Sequence, residues 1–403
     1  MRLVEQHIIK SNNKHYRDLK RLCRLSKNLY NATLYAIRQH FFETNKYLSY
    51  ANIDRIFKAT NNSDYRSLPI QTAQQTMRLA DSNFKSFFRL LKLKQTGKYN
   101  NRVNIPRYLD SEGYYTLIYT GQQLGKKLQF GIIKLPLSDI EFHTNKTNIK
   151  QVRFIPKGTY IVMEVIYEVK EYELKTNNGN YVGIDLGINN LATIASNTSK
   201  SYIVNGRPVK SINQYYNKQK AHLQSQLKNN RTSKRIQRLT LKRNNKIKDY
   251  FHKATSYIVN QLVSDSINTV IIGQNKDWKQ DINIGKQNNQ SFTSIPHSVF
   301  INMLKYKCRL KGITIICIEE SYTSKASFLD NDYIPNIGAK NVTFSGNRIK
   351  RGLYRSNIGE LLNTDVNGAL NIIRKGLNYL KEVGDVAIPT DRGFVFNPIK
   401  VSF

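Results

Sequence analysis

One segment near the middle of the chain, YVGIDLGINNLATIAS at residues 181–196, places a single acid inside an otherwise apolar strand. Asp185 stands between two glycines, and the apolar pattern resumes after Asn189-Asn190, as in a hairpin of two strands. A carboxylate in a buried strand costs free energy unless a metal ion, a cationic partner or hydrogen-bond donors compensate its charge. We favour metal ligation, and a structural aspartate satisfied by hydrogen bonds is the alternative.

The net charge restricts the partners of the chain. Lys and Arg total 63 and Asp and Glu total 28, which gives +35 over 403 residues, and the basic residues are spread over the whole length. This charge favours an extended phosphate backbone over a small acidic ligand. No apolar run approaches the roughly 20 residues of a spanning helix, and residues 1–10 lack the apolar stretch of a secretory signal. Cys23, Cys308 and Cys317 form no close-spaced pair, which favours reduced thiols in a cytosolic protein.

The first 175 residues predict a β domain that contains a helical insertion. Residues 1–10 predict a strand, and helices are predicted at about 15–42 and 69–92, where apolar residues recur at three- and four-residue spacing. From about 113 to 172 short strands follow, among them residues 127–133, as in a small antiparallel barrel or sandwich. We therefore predict a β-barrel-like domain from residues 1–12 and 105–175, with residues 13–104 inserted as a helical lobe.

From residue 180 onward the pattern alternates strands with helices. The Asp185 hairpin is followed by a strand, basic helices over about 210–267, and two buried strands that flank another helix; the last helix spans 363–377. This alternation is typical of an RNase H-like α/β fold, which we predict over residues 180–380, with 381–403 as a C-terminal tail. The fold class is then α+β with several domains.

Nucleases of this architecture require several carboxylates around two divalent ions, which activate water and stabilise the leaving oxygen. Carboxylate oxygens suit Mg²⁺ or Mn²⁺. Asp185 on the first strand is one candidate. Asp365 is another, because it lies in the first turn of the last helix, where an acid is also favoured by the helix dipole.

Four motifs, GIDLGINNLAT, DYFHKATSYIV, YTSKAS and TDVNGALNI, together resemble the OrfB/TnpB family. Its members are RNA-guided DNA nucleases of insertion sequences, with a RuvC-type nuclease domain, and are related to type V CRISPR effectors. The resemblance covers most of residues 180–377 and is looser over 1–170, where it implies a wedge-like β domain with a recognition lobe. It also implies a guide RNA derived from the transposon end, a double-stranded DNA target beside a short adjacent motif, and a cytoplasmic, prokaryotic protein acting at the nucleoid.

The family usually carries its second acid, a glutamate, at the end of the strand that reads TVIIGQN here, but this chain has Gly273 and Gln274 there. Relatives called Fanzors, and some TnpB lineages, instead carry a glutamate three residues before a Thr-Ser pair, which is the place of Glu320. Adjacent parallel strands end at the same sheet edge, and a glutamate can span their spacing of ~4.8 Å. We prefer Glu320 over its neighbour Glu319. The catalytic and metal-binding residues implied by the resemblance are Asp185, Glu320 and Asp365.

The four-cysteine zinc finger that the family often carries has no counterpart here. Its ligand places align with Ser327, Asp330, Arg355 and Ile358, and the last two cannot bind zinc, so we predict no structural zinc. The loop at about 322–360 must then be held by packing or ordered by nucleic acid. Candidate nucleic-acid contacts, with solvated surface positions as the alternative, are Lys325, Arg348, Lys350, Arg351, Lys234, Arg235, Lys242 and Arg243.

Two functions follow from the resemblance. The first is a divalent-metal-dependent, RNA-guided DNA endonuclease in which pairing with the guide supplies specificity. The alternative is a nuclease-inactive, RNA-guided DNA-binding repressor, which the missing acid at Gly273 favours. A strand-transferring DDE transposase is disfavoured, because its acids run Asp, Asp, Glu along the chain and the order here is Asp, Glu, Asp.

Overall fold

A computed structural model of the protein describes residues 1–198, 200–228, 232–275, 285–380, 393 and 396–403. The chain divides into two units, residues 1–170 and 171–403. Within the described residues, no helix combines the length and the apolar character needed to cross a membrane.

The first unit contains an antiparallel sheet and a group of helices. Its elements are β1 (Arg2–Lys10), α1 (Tyr16–Thr44), α2 (Tyr50–Ala59), α3 (Ser63–Arg66), α4 (Ile70–Gln95), β2 (Leu117–Thr120), a 3-10 helix (Lys126–Phe130), β3 (Ile132–Lys134), β4 (Glu141–His143), β5 (Ile149–Lys157) and β6 (Tyr160–Glu168). The main sheet has the order β1-β6-β5-β2, and β3 pairs only with β4.

The predicted strand and helices of this unit are observed, but a barrel is not. β1 pairs antiparallel with β6 from Arg2–Glu168 to Lys10–Tyr160, and α1 and α4 cover the two predicted helices. The described strands form an open four-stranded sheet and a separate hairpin. The strand expected at 127–133 is mostly the 3-10 helix, because Gly125 and Gly131 at its ends have φ of 69° and 73°, which interrupts an extended chain.

The second unit contains the segment around Asp185. Its elements are β7 (Tyr181–Leu186), β8 (Asn190–Ser196), β9 (Tyr202–Asn205), α5 (Arg207–Ser225), α6 (Lys234–Ser264), β10 (Thr269–Gly273), α7 (Lys286–Ser294), α8 (His297–Arg309), β11 (Thr314–Ile318), β12 (Asn347–Lys350), β13 (Leu353–Arg355), β14 (Leu361–Asn363), α9 (Thr364–Leu380) and β15 (Ile399–Val401). Strands β12, β13 and β14 form a small antiparallel sheet.

The large sheet of this unit has the order β11-β10-β7-β8-β9-β15. β10 is parallel to both β7 and β11, whereas β8 is antiparallel to β7 and β9. Numbered along the chain, the first five strands therefore lie in the order 5-4-1-2-3 with the second reversed, which agrees with the predicted RNase H-like arrangement. Because β7, β10 and β11 are parallel, their carboxyl ends meet at one edge of the sheet, where ligands of open α/β sheets bind.

Helix α9 packs directly on β7 through a glycine. A Cβ atom at Gly183 would lie 1.9 Å from the carbonyl oxygen of Ala369, so any larger residue would push the helix away from the strand. Val366, Ala369 and Ile373 of α9 are fully buried in the same core. Since β7 carries Asp185 and α9 carries Asp365, this backbone contact sets the separation of two candidate acids.

The predicted basic helices are observed as α5 and α6, and the last helix continues past its predicted end at residue 377 to Leu380. Most of the predicted tail lies outside the described residues, but Ile399–Val401 forms β15, which pairs parallel with β9 and so extends the large sheet. The three cysteines are free thiols, as predicted.

Replacing Gly183 by Ala should lower the free energy of unfolding by about 1–3 kcal/mol, because the added methyl group overpacks the contact with the backbone of α9. Chemical denaturation measures this loss. Gly376→Ala is the comparison variant on α9: its Cβ would lie 2.7 Å from Cδ1 and Cγ2 of Ile271, which are side-chain and not backbone atoms, so a smaller loss is expected. An equal loss in both variants would contradict the close approach of α9 at Gly183.

Candidate active site

Asp185 is the acid on the central strand of the large sheet. It pairs with Thr193 of β8, and its side chain is half-buried. Burial raises the pKa of Asp185 well above its usual range, and the negative charges of Glu320 and Asp365 raise it further. The two other candidate acids are therefore close enough to act on Asp185, and they add to the cost of its charge instead of relieving it.

Asp365 is placed by the start of α9. The side-chain oxygen of Asn363 accepts hydrogen bonds from the backbone N–H groups of Asp365 at 3.0 Å and Val366 at 3.3 Å, which caps the helix. The Asp365 carboxylate accepts a bond of 2.5 Å from Nδ2 of Asn190. Because Asn190 begins β8, the hairpin that follows Asp185 also holds the Asp365 carboxylate.

Glu320 lies just past β11, beside the end of β10. The last paired residues of these strands are Gly273 and Ile318. A Cβ atom at Gly273 would lie 2.5 Å from Oε2 of Glu320, so this carboxylate occupies the space that a side chain at position 273 would enter. Oε2 is buried and has no hydrogen-bond partner within the described residues. Burial raises the pKa of Glu320 to about 7, the charge of Glu319 acts in the same direction, and Lys375 opposes both.

Glu319, unlike Glu320, has a partner for each of its two carboxylate oxygens. Its Oε2 lies 2.6 Å from Nζ of Lys375, and its Oε1 accepts a 2.6 Å bond from the backbone N–H of Ser321. Burial favours the neutral acid, but the bonds from Lys375 and Ser321 outweigh it and lower the pKa of Glu319. The charge of Glu319 is thus compensated within the protein, whereas Oε2 of Glu320 is left to another partner.

The three acids fit a divalent cation in their chemistry. Carboxylate oxygens are the donors that Mg²⁺ and Mn²⁺ prefer. A cation would supply the missing partner of Oε2 of Glu320 and relieve the repulsion at Asp185. In the described part of the chain, however, no three Asp, Glu, His or Cys side chains are grouped closely enough to hold a metal ion. The charges of Glu320 and Asp365 act on Asp185, but among the described residues the three acids do not form a coordination shell.

A cleft of about 420 Å³ opens beside two of the acids. Its charged lining residues are Asp185, Asp365, Lys210, Arg348 and Arg351. Lys210 extends from α5 and donates a 3.2 Å hydrogen bond to Asn189 in the turn after β7. Arg348 and Arg351 are exposed and come from β12 and the turn that follows it. The cleft therefore joins carboxylates to cations that can contact a phosphate backbone.

The other basic residues predicted to contact nucleic acid do not line this cleft. Lys325 and Lys350 are exposed, as are three residues of α6, namely Lys234, Arg235 and Lys242. Arg243 is half-buried, and its guanidinium donates to the side chain of Asn213 at 2.8 Å and to the carbonyl oxygen of Ser294 at 2.6 Å. Arg243 therefore connects elements of the second unit, and we do not include it in the proposed interface.

Three residues near the acids were not singled out from the sequence. They are Asn190, Lys210 and Asn275, of which Asn275 bonds to Glu320. Asn190 belongs to the GINN motif, so a sequence signal existed for it. Lys210 and Asn275 stand among many similar residues, and nothing local distinguishes them.

Hydrogen bonds to two aspartates hold the loop that aligns with the zinc finger. Asp332 accepts a 2.7 Å bond from the backbone N–H of Ser327. The hydroxyl of Ser345 bonds to Asp332 at 2.6 Å and Asp330 at 3.0 Å, and Asp330 also accepts the backbone N–H of Asn357 at 2.8 Å. These carboxylates thus join segments at 327–332, 345 and 357, which a bound metal would otherwise have to do.

Two solved structures match the chain at low sequence identity and with TM-scores below 0.5. The Cas12f1–sgRNA–target DNA complex is 14% identical, with a TM-score of 0.37, and covers 92% of this chain and 98% of its own. The mini-RNA-guided endonuclease CRISPR-Cas_phi3 is 10% identical, with a TM-score of 0.48, and covers 93% and 92%.

The fold and the acids define a mixed α/β protein with a carboxylate centre at one sheet edge. The OrfB_IS605 family model, described as "Probable transposase", matches residues 164–279, and the model of the Cas12f1-like TNB domain matches 297–372. A TnpB-like protein of Acidianus two-tailed virus, ORF457, is 22% identical over 410 residues, covering 90% of this chain and 84% of the viral protein. The chain is thus similar to the OrfB/TnpB family over these two regions and to a TnpB-like protein over most of its length.

Replacing Asp332 by Ala should loosen the loop and lower the free energy of unfolding by about 2–3 kcal/mol, because hydrogen bonds to a charged group are lost. Limited proteolysis and thermal unfolding measure the effect, with exposed Lys340→Ala in the same loop as the control. In buffer without added divalent cations, a chelator should leave the melting temperature of the unchanged protein as it is. A chelator-induced fall to the level of the Asp332 variant would contradict this description of the loop.

Proposed function

We propose that the chain is an RNA-guided, divalent-metal-dependent DNA endonuclease with a RuvC-type site. One observation supports the proposal most strongly. Asp185, Glu320 and Asp365 are far apart in the chain, yet the charges of Glu320 and Asp365 raise the pKa of Asp185 at one sheet edge. Mutually repelling acids are costly unless a cation compensates them, so their placement favours a metal centre. Similarity to the OrfB/TnpB family supports the same class of activity.

The three acids would hold Mg²⁺ or Mn²⁺, with Glu320 as the acid that replaces the one missing at Gly273. Bound there, the metal supplies an activated water and stabilises negative charge on the phosphate and the leaving oxygen. The protein contributes the placement: Asn190 orients Asp365, and the half-buried strand holds Asp185. No zinc has a role in this proposal.

The cations of the cleft would seat the phosphate backbone of the DNA. Lys210, Arg348 and Arg351 surround the opening beside Asp185 and Asp365, and a net charge of +35 favours a polyanion. A guide RNA from the transposon end would supply sequence specificity by pairing, and the protein would read a short motif beside the double-stranded target. This activity places the protein at the nucleoid of a prokaryotic cell.

A second candidate is a nuclease-inactive, RNA-guided DNA-binding repressor. Two observations favour it: position 273 is a glycine, and the acids in the described residues are not grouped as a metal site. Against it stands the buried Oε2 of Glu320, which has no hydrogen-bond partner in the described part of the chain, since a carboxylate without function would be expected to gain a donor or to be replaced. Cleavage of matched DNA by the guide-loaded protein with Mg²⁺ separates the two functions.

Replacing Asp185, Glu320 or Asp365 singly by Ala should reduce guided DNA cleavage at least about a hundredfold, because metal-held stabilisation of the transition state is worth several kcal/mol. The measurement is the single-turnover cleavage rate, and guide RNA binding should change little. The control is Asp249→Ala, which removes an acid exposed on α6. Cleavage at the unmodified rate by Asp185→Ala would contradict the proposed nuclease site.

Replacing both Arg348 and Arg351 by Ala should weaken DNA binding and reduce the slope of log K against log salt by about one for each lost phosphate contact. Equilibrium binding of the guide-loaded protein to target DNA at several salt concentrations measures both effects. Lys305→Ala together with Lys340→Ala removes the same charge from exposed positions that do not line the cleft. An unchanged slope in the arginine variant would show that this cleft does not seat DNA.

A further inference from the structure

Glu320 stands beyond the last ladder pair of β10 and β11, so strand pairing alone does not fix it. We propose that Asn275 and Lys375 are positioning residues that hold Glu320 at the metal site from its two sides. This inference rests on the proposed function. It extends that function by naming the residues that make a glutamate on β11 serve in place of one on β10.

Asn275 contacts both the backbone and the side chain of Glu320. Its Oδ1 accepts the backbone N–H of Glu320 at 3.0 Å, and its Nδ2 donates to Oε1 of Glu320 at 3.5 Å. A carboxamide offers both an acceptor and a donor, which neither an aspartate nor an apolar residue can do. The first bond continues the pairing of the two strands by a side chain. The second engages Oε1 and leaves Oε2 as the oxygen available to a cation.

Lys375 holds the chain on both sides of Glu320. Lys375 is buried, with 8% of the residue exposed, and Nζ donates to Glu319 at 2.6 Å and to the carbonyl oxygens of Ser321 and Pro335, each at 3.1 Å. An ammonium group has three donors, and these three bonds use all of them. Lys375 lies on α9, the helix whose first turn carries Asp365. The same helix therefore fixes one acid directly and the position of a second acid through Lys375.

Gly273 leaves the room that this arrangement needs. A Cβ atom there would lie 2.5 Å from Oε2 of Glu320 and 2.6 Å from Cδ1 of Ile372. The carboxylate of Glu320 and a side chain at position 273 compete for one space. A glycine at position 273 therefore goes together with Glu320 for a steric reason, and Asn275 and Lys375 hold the Glu320 carboxylate in that space.

The test measures Mn²⁺ binding to the full-length, guide-loaded protein, with Asp185→Ala defining the part of the binding that belongs to this site. Asn275→Ala and Lys375→Met should each weaken that part about tenfold or more, as loss of residues that orient metal ligands does. Asn275→Asp, which keeps the acceptor but loses the donor, should also bind Mn²⁺ more weakly. The matched controls are Asn378→Ala and Lys305→Met, which change exposed residues and should bind like the unchanged protein.

Thermal unfolding and guide RNA binding distinguish positioning from general damage. The proposal expects Asn275→Ala to unfold within a few degrees of the unchanged protein while its Mn²⁺ affinity falls. Mn²⁺ affinity equal to the unchanged protein in both Asn275→Ala and Lys375→Met overturns the positioning roles and leaves the nuclease proposal standing. If the unchanged protein shows no Mn²⁺ binding that depends on Asp185, the proposed metal centre itself fails.

Discussion

The repulsion that Glu320 and Asp365 exert on Asp185 at one edge of the large sheet is the constraint on which this account depends. Asp185 is half-buried on β7, and both Glu320 and Asp365 raise its pKa. A folded protein can keep a buried carboxylate charged when a cation or another partner compensates the charge. Much of the second unit maintains this arrangement: Gly183 lets α9 approach β7, and Asn190 holds the carboxylate of Asp365.

The relocated glutamate shows how a sheet can supply the same chemistry from a different strand. β10 and β11 are neighbours and parallel, so an acid at the end of either one reaches the same edge. The space is limited, however, because a side chain at Gly273 would collide with the carboxylate of Glu320. Glu319, one residue earlier, forms an ion pair with Lys375 instead. Of the two consecutive glutamates that follow β11, one is thus paired with Lys375, and the other has an oxygen, Oε2, with no hydrogen-bond partner among the described residues.

The spacing of apolar residues predicted the strands and helices that form from residues close together in the chain. The apolar run around Asp185 predicted β7, and the helical spacing predicted α9 with Asp365 in its first turn. Glu320 was inferred from a family resemblance, since no periodicity distinguishes it from Glu319. The bond between Asn275 and Glu320 joins residues 45 apart and that between Lys375 and Glu319 joins residues 56 apart, so both depend on strand and helix packing. β15 likewise depends on its pairing with the distant β9, which a short window does not contain.

Crystals of the protein grown with Mn²⁺, measured at the manganese absorption edge, test the central claim most directly. The account predicts an anomalous peak from a manganese ion that is bound by the carboxylates of Asp185 and Asp365 and by Oε2 of Glu320. A peak at other residues, or an ordered Glu320 whose carboxylate points away from an occupied site at Asp185, would contradict it.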